Sequence, residues 1–299
     1  MTVRIGFKTS PQDVDWATVE ATWARAGELA RAPATRFDSG WLNDHLTNMD
    51  AAMPGSSLEA LTLLGTLVHH VPGMTVGHAV LSNTFRHPVL LAKAAVVLDH
   101  ATRGRFVLGL GAGWFEGEHE PFGIALAPIG SRIDRLVAAV ETLQALFSDA
   151  AAAPPGVTRD DPFYPLAGAV NAPSPRTPGG PPLYLGGQGP RGIRLAAQTA
   201  AGWLQPGTHA GNVPYFAEKR AELLAALDVE GRDHASLDLV GQVGTGATAA
   251  SRAAAVAASV GLIEAGATHV ILGMPASLGP SGLDEVAHDC LVPLRDRYG

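Results

Sequence analysis

Cysteine is nearly absent from this chain, which has Cys290 as its single cysteine among 299 residues. One thiol excludes an intrachain disulfide framework and any zinc site built from several cysteines. No apolar run reaches the roughly 18 residues that a transmembrane helix needs, so no membrane partner is expected. The segment after Met1, "TVRIGF", reads as a strand and lacks the basic start and apolar run of a signal peptide. We therefore expect a cytoplasmic protein.

Positive charge is scarce as well. Lysine occurs only at Lys8, Lys93 and Lys219, and the formal net charge is −7. Nucleic-acid binding needs a basic face that neutralises phosphates, so no nucleic-acid partner is expected. The G-x-S-x-G nucleophile turn and the H-E-x-x-H zinc motif are both missing from the sequence. We therefore predict a small-molecule substrate and no metal.

What the chain does contain is a regular alternation of strand and helix patterns. Short apolar runs predict eight strands, at 3–7, 37–42, 74–81, 105–111, 181–187, 202–205, 236–243 and 268–274. Helical patterns follow them at 11–29, 57–68, 88–100, 129–147, 191–199, 213–227, 249–265 and 283–298. Alternation requires parallel pairing with right-handed crossovers, which an open doubly wound sheet also satisfies. Eight units in one chain favour an α/β fold of the (β/α)8 TIM barrel type, with 1–299 as a single domain.

One segment, 150–180, interrupts this alternation. It is rich in proline and glycine and contains "DDPFYPL". We interpret it as an insertion after the fourth βα unit that serves as a lid, rather than as a domain boundary. In such a barrel the chemistry lies at the carboxyl ends of the strands, so these ends are where candidate site residues are sought.

Two glycine-rich turns follow predicted strands. In "RFVLGLGAGWFEGEHEPFG", at 105–123, Gly109, Gly111 and Gly113 alternate, which indicates either a strand bulge or the close approach of a ligand phosphate. "GQGPRG", at 187–192, fits a dinucleotide fingerprint formally, but the next strand lacks the acidic residue this fingerprint needs. Its amides at a helix start still suit an anion. The two turns are predicted to face one another and hold one phosphate; the alternative is that both only pack.

Three polar residues at strand ends are candidates for catalysis. His45 follows the second strand beside Asp44, which is expected to orient the imidazole or raise its pKa. Lys8 ends the first strand, where it would repel a proton from His45 or bind an acidic substrate group. For both His45 and Lys8, a purely structural role is the alternative. The "EGEHE" stretch at 116–120 is expected to be a solvated loop or helix start rather than a metal site.

Four stretches taken together resemble the luciferase-like monooxygenase superfamily. They are "FDSGWLNDH", the long block from "SLEALTLLG" through "GEHEPFGI", "RIDRLVAAVETLQALF" and "PPLYLGGQGPRGIRLAAQTAAGW". The opening "RIGFKTS", with "NDH" and "VLSNTFRHP", is most similar to the branch of deazaflavin (coenzyme F-420)-dependent oxidoreductases. This resemblance implies a TIM barrel, a homodimer and a bound deazaflavin or flavin.

The resemblance also implies roles for particular residues. The match to His45 handles a proton, with the match to Asp44 beside it, and the Ala79–Val80 peptide is expected to be cis. The residues implied to bind the cofactor are Ala79, Val80, Ser82, Gly111, Ala112, Gly113, Trp114, Phe115, Gly187, Gln188 and Gly189. The sequence departs from the sugar-phosphate dehydrogenases of this branch at Trp114, where they carry a catalytic acid. Glucose-6-phosphate is therefore a doubtful substrate.

The function that this resemblance implies is hydride transfer between coenzyme F-420 and a small organic substrate at the carboxyl face of the barrel. The protein would supply orientation, electrostatics and exclusion of water. The alternative cofactor is FMN, with which the same barrel would act as a monooxygenase. A barrel that binds a cofactor without turnover is a third possibility, because of the missing acid at Trp114.

Overall fold

The computed structural model describes residues 3–49 and 55–299. Its strands are β1 Arg4–Thr9, β2 Ser39–Leu42, β3 Thr75–His78, β4 Leu81–Ser82, β5 Phe106–Gly111, β6 Val157–Arg159, β7 Leu166–Ala169, β8 Leu183–Gly186, β9 Gly202–Leu204, β10 Asp238–Gly244 and β11 His269–Gly273. Its α-helices are α1 Trp16–Leu29, α2 Ala60–Leu67, α3 Pro88–Ala101, α4 Glu116–His119, α5 Ile129–Phe147, α6 Pro190–Thr199, α7 Val213–Val229, α8 Ala249–Glu264, α9 Gly279–Val286 and α10 Val292–Tyr298.

The main sheet closes into a barrel. The strand order is β3-β2-β1-β11-β10-β9-β8-β5-β4, and an additional β3–β5 pairing joins the two ends. Every pairing in this sheet is parallel. The short strand β4 extends β3 beyond two intervening residues and pairs with the same neighbour, β5. The predicted (β/α)8 TIM barrel is therefore confirmed, and the open-sheet alternative is wrong.

Local signals set where the helices start and end. The Asp15 side chain accepts a hydrogen bond from the backbone N–H of Thr18 at 2.7 Å, so α1 begins at Trp16 and not at the predicted residue 11. Thr248 and Ser251 form a reciprocal capping box at the start of α8. The single closing helix that was predicted is instead α9 and α10 joined by a π-helical turn, Ala287–Leu291, with a proline in the first turn of α10.

Two apolar layers enclose the barrel wall. The larger one lies between the strands and the helices and includes Phe7, Trp23 and Phe106. A smaller cluster, which has no members in common with the first, consists of Trp41, Val107, Tyr184, Leu204, Val240 and Ile271, with Ala79 and Val80 packed against it. Because side chains alternate along each strand, this second cluster fills the barrel interior. A ligand therefore has room only at the ends of the barrel.

The insertion at 150–180 is tied to helices α3 and α5 by hydrogen bonds. Its strands β6 and β7 form an antiparallel hairpin. Arg159 donates to the hydroxyl of Thr142 on α5 at 3.0 Å, and Thr177 donates to Asp99 on α3 at 2.8 Å. The segment follows the fourth βα unit and packs along α3 and α5. Its role as a lid stays a prediction. In the described part of the chain, no helix is long and apolar enough to cross a membrane.

Candidate active site

His45 is held by a carboxylate from another loop. It lies three residues beyond the end of β2, and its Nδ1 is 3.0 Å and 3.1 Å from the two carboxylate oxygens of Glu118 on α4. Glu118 is only 2% exposed, and its Oε2 also accepts the backbone N–H of Leu46 at 2.8 Å. An ionised carboxylate only accepts hydrogen bonds, so Nδ1 carries the proton in the neutral imidazole. Nε2 is then the nitrogen with a free lone pair.

Asp44 does not take the role expected of it beside His45. Its buried carboxylate instead receives two hydrogen bonds from the Arg86 guanidinium, at 2.5 Å and 2.9 Å, and one from the backbone N–H of Ser82 at 2.8 Å. Arg86 also pairs with Glu59. Burial works against the charge on Arg86, but the hydrogen bonds that it donates to both carboxylates, together with their negative charge, raise its pKa. Asp44 therefore fastens the end of β2 to β4, and the expectation that it orients His45 is corrected.

The "EGEHE" stretch is also more buried than expected. Glu118 and His119 are both buried, at 2% and 1% exposure, although they do lie at a helix start as predicted. His119 donates from Nδ1 to the carbonyl of Phe115 at 2.7 Å and accepts from the hydroxyl of Thr84 at 2.7 Å. Thr84 in turn bonds Ser82 at 2.6 Å. This network fixes the loop after β5 to the end of β4, whereas Glu116, Gly117 and Glu120 of the same helix start are exposed. Among the described residues, no cluster suited to a metal is found.

The alternating glycines on β5 make room for a neighbouring part of the chain. The Ala79–Val80 peptide is cis, as the resemblance predicts. A Cβ atom on Gly109 would lie 1.9 Å from the carbonyl oxygen of His78, and one on Gly111 would lie 2.8 Å from the Val80 side chain. A Cβ atom on Gly186, which lies on β8, would be 3.2 Å from the same valine side chain. The lack of side chains at these glycines therefore makes room for residues 78–80.

Gly113 has a different requirement. Its φ is +74°, a region that favours glycine, and a Cβ atom there would lie 2.6 Å from the Ser82 hydroxyl. Arg132 on α5 donates to the Gly113 carbonyl. The loop 112–115 therefore has a fixed backbone path at the barrel mouth. Its Trp114 side chain is 54% exposed, and the rings of Trp114 and Phe115 stand edge-on to His45, with centroids 6.3 Å and 6.4 Å away.

The second glycine turn lies beside the first one. β5 and β8 are paired neighbours, with Leu110 opposite Leu185, so the two turns stand side by side rather than facing across the mouth. Gly189 precedes α6 without a side-chain cap, and among the described residues no atom beyond its chain neighbours lies within 4 Å of a Cβ atom placed on it. The carbonyl of Gly187 accepts from the Trp203 indole at 2.7 Å, and the Gln188 amide oxygen accepts from Tyr215 at 2.8 Å. Uncapped amides at this helix start can hold an anion.

Lys8 lies on the other side of the mouth. Its Nζ donates to the Gln242 amide oxygen on β10 at 2.6 Å, and burial lowers its pKa to about 8. Gln242 is itself fixed, because its amide nitrogen donates to the backbone carbonyl of Gln205 at 2.5 Å. The structure records no contact between Lys8 and His45.

Sequence reasoning missed several of these residues. Glu118 is 73 positions from His45, and Arg86 is 42 from Asp44, so no local pattern connects the members of either pair. One signal was available for Gln242, because it occupies the carboxyl half of a predicted strand. No comparable signal marks Thr84 or His119.

Comparisons with known proteins agree with this architecture. A family model described as luciferase-like monooxygenase matches residues 3–285. A phthiodiolone/phenolphthiodiolone dimycocerosates ketoreductase from Mycobacterium sp. (strain JLS) is 30% identical over 234 residues, which cover 71% of this chain and 58% of that protein. An F420-dependent glucose-6-phosphate dehydrogenase from Microbacterium testaceum (strain StLB037) is 33% identical over 195 residues, 64% of this chain and 53% of that protein.

The chain spans about half the length of the curated relatives it matches. Among solved structures, an F420-dependent secondary alcohol dehydrogenase in complex with an F420-acetone adduct superimposes with a TM-score of 0.75 at 18% identity, covering 97% of this chain and 99% of that one. At this identity the likeness shows a shared fold. Because the family model covers nearly the whole sequence, the chain belongs to the luciferase-like monooxygenase family of enzymes.

Proposed function

We propose that this enzyme transfers a hydride between coenzyme F-420 and the carbon of an alcohol or carbonyl group. The observation that carries this proposal is His45, held at the carboxyl face by Glu118 and standing next to the fixed loop 112–115. The names of the two curated relatives, a ketoreductase and an F420-dependent dehydrogenase, support the same class of reaction.

The two adjacent glycine turns are suited to the phosphate of such a cofactor. The uncapped start of α6 after Gly189 offers backbone amides to an anion, and the loop at Gly113, whose path Ser82, Thr84 and Arg132 fix, lies beside it. Val80 packs against the apolar interior of the barrel and is only partly buried, so it would offer an apolar contact to a ring system. The two turns would bind the phosphate, and Val80 beside them would contact the ring system. A deazaflavin nucleotide needs both kinds of contact.

His45 is the residue that would move the proton. When bound, F-420 accepts or returns a hydride at its ring. In alcohol oxidation, Nε2 of His45 takes the hydroxyl proton while the carbon–hydrogen bond of the alcohol breaks and a carbon–oxygen double bond forms. In carbonyl reduction, the same nitrogen returns the proton. Glu118 is a positioning residue that fixes the tautomer through Nδ1.

Trp114 takes the position at which the sugar-phosphate dehydrogenases of this branch carry an acid. An indole cannot exchange a proton with the substrate at neutral pH. His45 is then the proton-handling group in this proposal, and the exposed Trp114 ring forms an apolar wall of the mouth.

A fluorescence titration with F-420 and with FMN tests the choice of cofactor. F-420 should bind at least about tenfold more tightly, or roughly 1.4 kcal/mol. Gly113→Ala should weaken F-420 binding, since the new Cβ would displace Ser82 and Thr84. Gly123→Ala is the matched control: its φ is also positive, at +66°, but nothing lies within 4 Å. Tighter binding of FMN would favour the monooxygenase alternative, and equal loss of affinity in both variants would remove the phosphate assignment.

A further inference from the structure

Lys8 points into the mouth of the barrel. It is two residues beyond Gly6 on β1, and a Cβ atom on Gly6 would lie 3.1 Å from Trp41 in the barrel interior. Residues two apart on a strand share a face, whereas Phe7 between them packs in the outer layer. The Lys8 side chain therefore rises from the apolar floor on the β1–β11–β10 side of the mouth.

Glycines leave space around the Lys8 ammonium group. A Cβ atom on Gly273, the paired residue on β11, would lie 3.4 Å from Cε of Lys8. One on Gly207, after β9, would lie 4.0 Å from Nζ, and one on Gly244 would have nothing within 4 Å. Side chains of ordinary size at these positions would fill the region in front of Lys8.

The partner of this cation within the described chain is neutral. Nζ has three protons, and Gln242 accepts one of them at 2.6 Å. Desolvation alone lowers the pKa of Lys8, and no carboxylate contributes to it. Lys219, by contrast, pairs with Glu218 and Glu222. Burial of a cation without an anionic partner costs free energy. The cation of Lys8 lies at the mouth of the barrel, where a substrate would enter.

We infer that Lys8, held in place by Gln242, binds an anionic group of the substrate, a carboxylate or a phosphate. The inference rests on the proposed function, because it takes the anion to belong to the molecule whose carbon exchanges the hydride. The expected substrates are alcohols that carry a carboxylate or phosphate group and the corresponding carbonyl compounds. Gln242 holds Lys8 in place and is fixed by two hydrogen bonds to Gln205.

The small number of lysines permits a direct test. Protein labelled with ¹³C-lysine gives signals from Lys8, Lys93 and Lys219 only, and Lys8→Met identifies the first of them. Acetate or inorganic phosphate should raise the pKa of Lys8 from about 8 by about one unit, as an opposite charge in contact does. Acetamide, the neutral match of acetate, should leave it unchanged. A Lys8 titration that neither anion moves, or that moves no more than those of Lys93 and Lys219, would overturn the inference.

Gln242→Glu provides a second variant of nearly the same shape. It gives Lys8 a carboxylate partner within the protein, so the pKa of Lys8 should rise without added anion and the response to acetate should disappear. An acetate response equal to that of the wild type would contradict the site.

F-420 added alone identifies the source of the anion. If F-420 raises the pKa of Lys8 and blocks acetate, the anion belongs to the cofactor and the substrate assignment is wrong. If F-420 binds and the acetate response persists, the assignment is supported. Failure of F-420 to bind, with the acetate response intact, would count against the proposed function and not against the anion site.

Discussion

At the scale of the residue, two histidines are kept neutral by burial. Desolvation lowers the pKa of His78 to about 4 and that of His269 to about 3. His78 donates to the Ala60 carbonyl at 3.1 Å, and His269 bonds Ser39 at 2.8 Å. Both belong to the barrel wall on β3 and β11, so their protonation would place a charge inside the fold.

These two histidines predict a loss of stability in mild acid. Below about pH 6.5 the unfolded chain binds protons at both positions while the folded chain does not. The free energy of unfolding therefore decreases as the pH is lowered. Each site contributes up to about 1.4 kcal/mol per pH unit until pH approaches its folded pKa of about 4 or 3. Urea unfolding at several pH values between 7 and 4 measures this slope.

His269→Gln is expected to make that slope shallower. His234→Gln is the control, because His234 is exposed and pairs with Asp228 at the surface. Equal slopes in wild type and His269→Gln would show that His269 is not held neutral.

The place of His45, the residue proposed to move the proton, was predictable from the sequence. The second predicted strand ends just before His45, and the barrel rule places strand ends at the site. Its partner was not predictable, since a hydrogen bond that joins residues 73 apart depends on the folded path of the β5–α5 connection. The same holds for Asp44, which binds Arg86 although His45 is its neighbour in sequence.

At the scale of the element, the Asp44–Arg86 pair joins β2, β4 and the start of α3. Asp44 reaches the backbone of Ser82 and the Arg86 side chain, and both side chains of the pair are largely buried. A buried pair that loses one partner leaves an uncompensated charge. This tie therefore supports the segment that includes Val80 and Ser82.

Asp44→Asn is expected to lower the free energy of unfolding by about 2–3 kcal/mol, because the largely buried Arg86 would lose its bidentate partner and keep only the more exposed Glu59. Urea unfolding measures the loss. Asp134→Asn is the matched control: Asp134 pairs with Arg191 across two helices, but both side chains are about half exposed, and such pairs contribute about 1 kcal/mol or less. Similar losses in both variants would mean that the buried pair does not stabilise the β2–β4 connection.

At the scale of the whole molecule, the barrel was predictable from the periodicity of the sequence. The closing strand pair and the hairpin of the insertion were not. Alternating apolar runs and helical patterns predict the order of the elements, and α5 has the predicted bounds. Closure depends on the β3–β5 pairing, which no local pattern encodes. The hairpin of the insertion was missed because β6 and β7 have only three and four residues and mostly lack buried apolar positions. A homodimer and a cytoplasmic location stay predictions.

The barrel also separates the site into two sides. His45 and Glu118 lie on the side of β2 and β5, whereas Lys8 and Gln242 lie on the side of β1 and β10. A substrate that bridges them would have its reacting carbon between the residue proposed to move the proton and the lysine proposed to bind an anion. This arrangement makes His45 the residue on which the account of the reaction depends.

Single-turnover reduction of bound F-420 tests that account most directly. F-420-loaded wild type and His45→Ala are mixed with a panel of neutral and carboxylate-bearing secondary alcohols, and loss of F-420 absorbance is followed by stopped flow. We predict reduction by wild type, and a rate at least about a hundredfold lower in His45→Ala with nearly unchanged affinity for F-420. A His45→Ala variant that reduces F-420 at the wild-type rate would contradict the central claim.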